Sequence, residues 1–262
     1  MTTYAYLLDL GRCLGCQACV AACKTGNELP QNVQYITISE KSWGKFPTLQ
    51  SVIENKRCYH CAEAACVSVC PTGALFKEDG LTRLERDKCS GCGYCVDACP
   101  FGVPKVAADG LSSKCDGCAE VVKAGGQPWC VKTCPSGALR YGEREEILAE
   151  ARQRVEFLKT RYPKARLYGE SEAGGLGVIV VLPADPETLD LPLNPQIPAA
   201  IQTWQKVVQP ASLGLTGLAV LTTGLAAFIA RRNHHKELER MRQQPMAKAA
   251  ARPTSDTKES DR

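Results

Sequence analysis

Charged and apolar positions alternate between Glu143 and Arg161 at helical spacing. Ile147, Ala151, Val155 and Leu158 recur every three or four residues, which predicts an amphipathic helix ended by Pro163. Gly177 to Leu182 is an unbroken apolar run and predicts a short buried strand. Five prolines between residues 183 and 198 predict an extended, irregular connector. Val207 to Ala230 is then a run of 24 residues without a charge. About 20 such residues cross the hydrocarbon core of a bilayer as a helix. A core helix is the bland alternative, but the abrupt stop at Arg231 and Arg232 and the interfacial Trp204 favour a membrane span. Residues 244–262 are polar, charged and poor in large apolar side chains, which predicts disorder.

Residues 13–141 show no sustained period, and their punctuation is cysteine. The first set is Cys13, Cys16, Cys19 and Cys23, spaced C-x2-C-x2-C-x3-C. The second is Cys58, Cys61, Cys66 and Cys70, spaced C-x2-C-x4-C-x3-C-P. The third is Cys89, Cys92, Cys95 and Cys99, spaced C-x2-C-x2-C-x3-C-P. The fourth is Cys115, Cys118, Cys130 and Cys134, spaced C-x2-C-x11-C-x3-C-P. All 16 cysteines of the 262-residue chain fall in these sets, so none is left as a lone thiol. The sets are an internal repeat, since Cys70-Pro-Thr-Gly-Ala-Leu75 returns as Cys134-Pro-Ser-Gly-Ala-Leu139. The proline after three of the sets blocks helix continuation, so loops, short hairpins and single helical turns are expected here.

Cysteines two residues apart in tight runs are poor disulfide partners. They suit an inorganic core that several thiolates must face together. Zinc also takes four cysteines, and the fourth set alone could serve it. Zinc sites usually pair two separated C-x2-C knuckles, whereas the first and third sets are tight runs of four with ferredoxin spacing. In that spacing the fourth cysteine ligates the other cluster of a pair. The rule assigns Cys13, Cys16, Cys19 and Cys134 to one [4Fe–4S] cluster, and Cys23, Cys115, Cys118 and Cys130 to a second. It assigns Cys58, Cys61, Cys66 and Cys99 to a third, and Cys70, Cys89, Cys92 and Cys95 to a fourth. Sixteen ligands close four cages, all held through iron. The fold class expected is α+β and loop-rich, with two interleaved ferredoxin-like modules and one C-terminal transmembrane helix. Sets 13–23 and 115–134 form one module and 58–99 the other, within a domain of residues 1–142. An extension and connector (143–203), a membrane helix (204–232) and a disordered tail (233–262) follow.

Fully ligated clusters conduct rather than catalyse. No Gly-rich phosphate loop, Ser/His/Asp array or flavin fingerprint is evident, so no catalytic residue is assigned. Gly125-Gly126 is read as a turn and His60 as a packing or environment-tuning residue. Trp129 is expected to pack against a cluster, and His234 and His235 lie in a charged flank that suits haem ligation poorly.

Net charge narrows the partners. Residues 231–262 hold nine Lys/Arg against five Asp/Glu, the whole of the +4 excess, so a nucleic-acid-binding body is not expected. Positive charge stays inside, which places the tail in the cytoplasm and the cluster domain on the periplasmic side. The N-terminus shows no basic n-region or apolar h-region, so export attached to a partner is expected.

The cysteine pattern from Cys13 to Cys134 resembles the four-cluster iron–sulfur subunits of the molybdopterin (DMSO-reductase-type) oxidoreductases. Cys130-Val-Lys-Thr-Cys-Pro135, Ala151-Arg-Gln-Arg-Val155, Gly174-Gly175 before a strand, and a single C-terminal membrane helix resemble the beta subunit of membrane-bound formate dehydrogenase. That resemblance implies a non-catalytic subunit between a molybdopterin (Mo/W) catalytic subunit and a membrane cytochrome b or quinone subunit. It implies that electrons enter near the cage of Cys13 and leave near that of Cys70. The shared face of Gly214, Gly217 and Gly224 would suit close packing on the membrane partner, or the helix is a plain lipid anchor. Nitrate reductase beta subunits carry a tryptophan where Cys92 stands, which counts against them. DMSO or polysulfide reductase subunits, a hydrogenase complex and a free polyferredoxin remain as alternatives.

Overall fold

The computed structural model describes residues 4–197, 199–203 and 207–250. The chain forms two units, residues 1–201 and 202–262.

The first unit is organised around a four-stranded sheet in the order β8-β1-β10-β9. Strand β1 (Tyr4–Asp9) pairs in parallel with β10 (Val178–Leu182) and antiparallel with β8 (Leu139–Glu143), and β9 (Arg166–Tyr168) lies antiparallel on the far side of β10. Alternate residues of a strand face opposite sides, and here the two sides have different neighbours. Ala5, Leu7, Ile179 and Val181 pack under helix α6 (Arg144–Lys159) against Ile147, Leu148, Ala151, Val155 and Leu158. Tyr6, Leu8, Val178, Val180 and Leu182 face the other way and join a core that includes Cys19, Cys23 and Cys130. The sheet is thus a wall between an ordinary helix layer and the cysteine layer.

The cysteine layer is built of short pieces. Helix α1 (Ala18–Gly26) carries Cys19 and Cys23, α2 (Ala65–Ser68) carries Cys66, α3 (Tyr94–Ala98) carries Cys95, and α5 (Trp129–Lys132) carries Cys130. Helix α4 (Ala119–Lys123) follows Cys118. Two-stranded hairpins lie between them: β2 (Thr37–Trp43) with β3 (Gln50–Lys56), β4 (Leu75–Glu78) with β5 (Leu81–Leu84), and β6 (Lys105–Val106) with β7 (Ser112–Ser113).

The predicted helix and strand are present as α6 and β10. The extension from 143 onward shares its sheet with β1 and β8, and lies in one unit with the cysteine layer. The proline-rich connector holds a 3-10 turn (Pro186–Leu189) that buries Leu189.

After a short α7 (Ala199–Thr203), helix α8 runs from Gln209 to Ala250. Its segment Pro210–Arg242 has a mean hydropathy of 1.9 over its most apolar window and is long and apolar enough to cross a membrane. Its large apolar side chains, Leu213, Leu218, Leu221, Leu225 and Phe228 among them, are exposed. The helix does not end at the expected boundary of 232. It continues through Ala250, where a disordered tail was expected, because Lys236, Glu237, Leu238, Glu239 and Arg240 are good helix formers with opposite charges one turn apart. Trp204 and residues 251–262 lie outside the described residues.

Candidate functional site

The two copies of the internal repeat adopt one local structure. Gly73 and Gly137 have φ of 67° and 64°, and each N–H returns to the carbonyl of the preceding cysteine, Cys70 or Cys134. Thr72 Oγ1 and Ser136 Oγ each lie 3.7 Å from the sulfur of that cysteine. The alanine and leucine that follow are buried in both copies. The motif is thus a turn that presents one sulfur while its apolar end is anchored in the core.

None of the sixteen cysteines is joined in a disulfide. Cys13, Cys16, Cys19 and Cys134 line one cavity, together with Leu8, Ile38 and Asn55. Asn55 Nδ2 donates to Cys19 Sγ at 3.9 Å. Cys58, Cys61, Cys66 and Cys99 line a second cavity, with His60, Phe101 and Lys114 in its wall. In each cavity three cysteines come from one set and the fourth from a distant one.

The other eight cysteines are placed by their contacts. Asn27, which caps α1, donates to Cys23 Sγ at 3.5 Å and accepts from Cys118 Sγ at 3.9 Å. The Gly117 N–H points at Cys115 Sγ at 3.4 Å. Burial pushes the Cys23 thiol up to about 12, and Cys130 and Cys118 add their repulsion. Cys23, Cys118 and Cys130 are therefore neighbours, and Cys115 faces both Cys58 and Cys23.

Cys89 and Cys95 are joined through Ser112, whose N–H points at Cys89 Sγ at 3.4 Å and whose Oγ lies 3.3 Å from Cys95 Sγ. Burial raises the Cys95 thiol, Ser112 opposes it, and Cys92 and Cys89 raise it further. The contacts of Cys70 stay within its own turn. There slight burial is outweighed by the N–H groups of Leu75, Thr72 and Ala74, which draw its thiol below the ordinary value.

These surroundings suit an iron–sulfur core. Burial pushes Cys61 and Cys66 up to about 12, with Cys58 adding to both. A buried set of sulfurs that repel one another is stabilised as thiolates only by cations among them. Among the described residues no three Cys, His, Asp or Glu side chains converge closely enough to hold a single ion. The donors surround a volume instead.

His60 is 1% exposed and its Nδ1 accepts from the Thr82 N–H at 3.1 Å. Burial, then Lys114, Lys77 and Arg83, hold its imidazole well below the usual range, so the ring is neutral. Gly125 closes the turn after α4, as expected, by donating to Val122. The Trp129 ring lies on Gly26 of α1, with Lys132 above it, and the Trp129 backbone N–H faces Cys118.

Arg83, 3% exposed, pairs with Glu78. Two further buried cations escaped the sequence reading: Arg57, 4% exposed beside Cys130, and Lys114, 1% exposed. A signal for them was present: Arg12, Arg57, Lys88 and Lys114 each precede the first cysteine of a set. Arg12 and Lys88 turn outward to Asp9 and Glu85, while Arg57 and Lys114 turn inward.

Two family models, both described as a 4Fe-4S dicluster domain, match residues 49–144 and 12–74. The formate dehydrogenase iron-sulfur subunit of Haemophilus influenzae is 35% identical, over 90% of this chain and 85% of its own length. The hydrogenase-2 operon protein HybA of Escherichia coli O157:H7 is 34% identical, over 71% of this chain and 72% of its own. A probable anaerobic dimethyl sulfoxide reductase chain, YnfG of Escherichia coli K12, is 40% identical over 56% of this chain and 76% of its own.

Proposed function

The chain belongs to the family of formate dehydrogenase iron–sulfur subunits, which bind 4Fe–4S clusters for electron transfer, and from that premise we propose that it links a molybdopterin (Mo/W) catalytic subunit to a membrane cytochrome b or quinone subunit. Bound clusters supply one-electron redox chemistry at potentials set by their surroundings. The polypeptide holds, insulates and tunes them. Its sixteen thiolates partition into four cages: Cys13, Cys16, Cys19 and Cys134; Cys23, Cys115, Cys118 and Cys130; Cys58, Cys61, Cys66 and Cys99; and Cys70, Cys89, Cys92 and Cys95. The two modules interleave in sequence because sets 13–23 and 115–134 flank residues 58–99, and within each module the fourth cysteine of a set ligates the other cluster.

The observation that carries this reading is that each of two cavities is lined by four cysteines, three from one set and one from a distant set. The electron path runs from the cage of Cys13 to that of Cys70. Helix α8 is the membrane anchor, with the cysteine layer periplasmic and the C-terminus cytoplasmic, because Arg231, Arg232, Lys236, Arg240 and Arg242 follow the apolar span. The similarity to HybA and YnfG supports a second reading, the same relay role in a hydrogenase or dimethyl sulfoxide reductase complex.

Purification of the native complex from membranes decides between them. A co-purifying molybdopterin subunit that oxidises formate is expected, with about sixteen iron and sixteen sulfide atoms per chain, four of each per cubane. A complex without a molybdopterin subunit overturns the formate assignment.

A further inference from the structure

Lys114 has the surroundings of a charge placed for a purpose. It is 1% exposed and lines the cavity of Cys58, Cys61, Cys66 and Cys99. Its Nζ donates to the Thr82 carbonyl at 2.7 Å and to the carbonyl of Cys115. Thr82 in turn donates its N–H to His60 Nδ1, so one residue of β5 fixes two residues of the cavity wall. Among the described residues no carboxylate pairs with Lys114. If packing alone were needed, an apolar side chain would fill this site at less cost, because taking a cation out of water is expensive. The offsetting negative charge available to it is the thiolate cage.

Its position in the chain adds a second observation. Lys114 immediately precedes Cys115, which belongs to the neighbouring group of Cys23, Cys118 and Cys130. Its Nζ holds the Cys115 carbonyl while its side chain lines the cavity of Cys58, Cys61, Cys66 and Cys99. It therefore stands at the junction of two cages. The outward member of the same sequence pattern, Lys88, is well exposed and paired with Glu85, where solvent and salt screen it.

We infer that the Lys114 ammonium is a positioning charge that raises the reduction potential of the cluster held by Cys58, Cys61, Cys66 and Cys99. Reduction adds a negative charge to an already anionic cage. A fixed cation in a poorly screened wall favours the reduced form and moves the couple upward. Nδ1 of His60 accepts a hydrogen bond, Arg57 faces Cys130, Cys115 and Cys19, and Lys77, which holds the Cys61 carbonyl at 2.7 Å, does so from the exposed side of the cage where water screens it. This inference rests on the four-cage reading above.

The test is a redox titration of the purified complex followed by electron paramagnetic resonance, with iron and sulfide measured on each sample. In Lys114→Met the iron content is expected to stay full. The reduced-to-oxidised ratio of one cluster should fall at least tenfold at fixed potential, about 59 mV for a one-electron couple. Lys114→Arg should restore that ratio to within about threefold, and Lys88→Gln should move no couple by that much. Full iron with no displaced couple, or no recovery in Lys114→Arg, overturns the inference. A shortfall of iron in the unsubstituted complex overturns the four-cage reading and this inference with it. If Lys114→Met sheds a cluster, unsubstituted complex carrying ζ-15N-lysine in a Lys77→Arg background decides the matter. A lysine nitrogen coupled to the reduced cluster supports the inference, and no coupling overturns it.

Discussion

The indole of Trp129 lies so close to Gly26 that a methyl group on that glycine would sit 2.5 Å from the ring. Gly26 ends the helix that carries Cys23, and Trp129 begins the one that carries Cys130. The contact therefore sets the spacing of two cysteines that the sequence assigns to one cage.

Gly26→Ala tests it. Alanine gains about 1 kcal/mol over glycine in a helix, but overpacking at such a contact costs about 1–3 kcal/mol. The steric term should win. A lower melting temperature and less iron retained on dialysis are expected, both relieved when Trp129→Leu is added. An unchanged melt would mean that α1 and α5 slide apart freely.

Asp9 is fully buried at the end of β1. Arg154 of α6 reaches its Oδ2 at 2.6 Å, Arg12 approaches at 3.4 Å, and the Gly11 N–H binds Oδ1 at 2.9 Å. Breaking one side of a buried pair costs about 3–5 kcal/mol because the other charge is stranded. Arg154→Leu should destabilise the protein by that order in thermal or denaturant unfolding. Adding Asp9→Asn should recover part of the loss.

The interleaved ligand sets make a phenotypic prediction. Cys99→Ala should remove the same paramagnetic signal as Cys58→Ala, not the signal removed by Cys89→Ala, although Cys99 belongs to the third set in sequence. Spectra of the three variants after dithionite reduction provide the check. A match between Cys99→Ala and Cys89→Ala would return each set to its own cluster.

Orientation is testable in cells. A green fluorescent protein fused after Arg262 should fluoresce, and protease added to spheroplasts should digest the cysteine layer but not the fusion. A dark fusion with a protected cysteine layer would reverse the assigned sidedness.

The sequence made some of this structure legible and hid the rest for physical reasons. The cysteine sets were readable because ligand spacing is local. Helix α6 was readable because Ile147, Ala151, Val155 and Leu158 keep a 3.6-residue period over about three turns. The sheet was not. Its central strand, Tyr4–Asp9, is a five-residue apolar run closed by Asp9, and its partners lie more than 130 residues away. Short apolar runs do not reveal whom they pair with. Arg57 and Lys114 were hidden differently. Arg12, Arg57, Lys88 and Lys114 occupy equivalent sequence positions, and only the fold decides which two turn inward.

The wall formed by β1 has a consequence for how the molecule is born. Its central strand is made first, but its parallel neighbour, Val178–Leu182, leaves the ribosome only after all sixteen cysteines. Until then the inner face of β1 lacks the Val178, Val180 and Leu182 side chains that complete the core around Cys19, Cys23 and Cys130. Every cysteine of the nascent chain is thus made before the strand that closes the back of its layer.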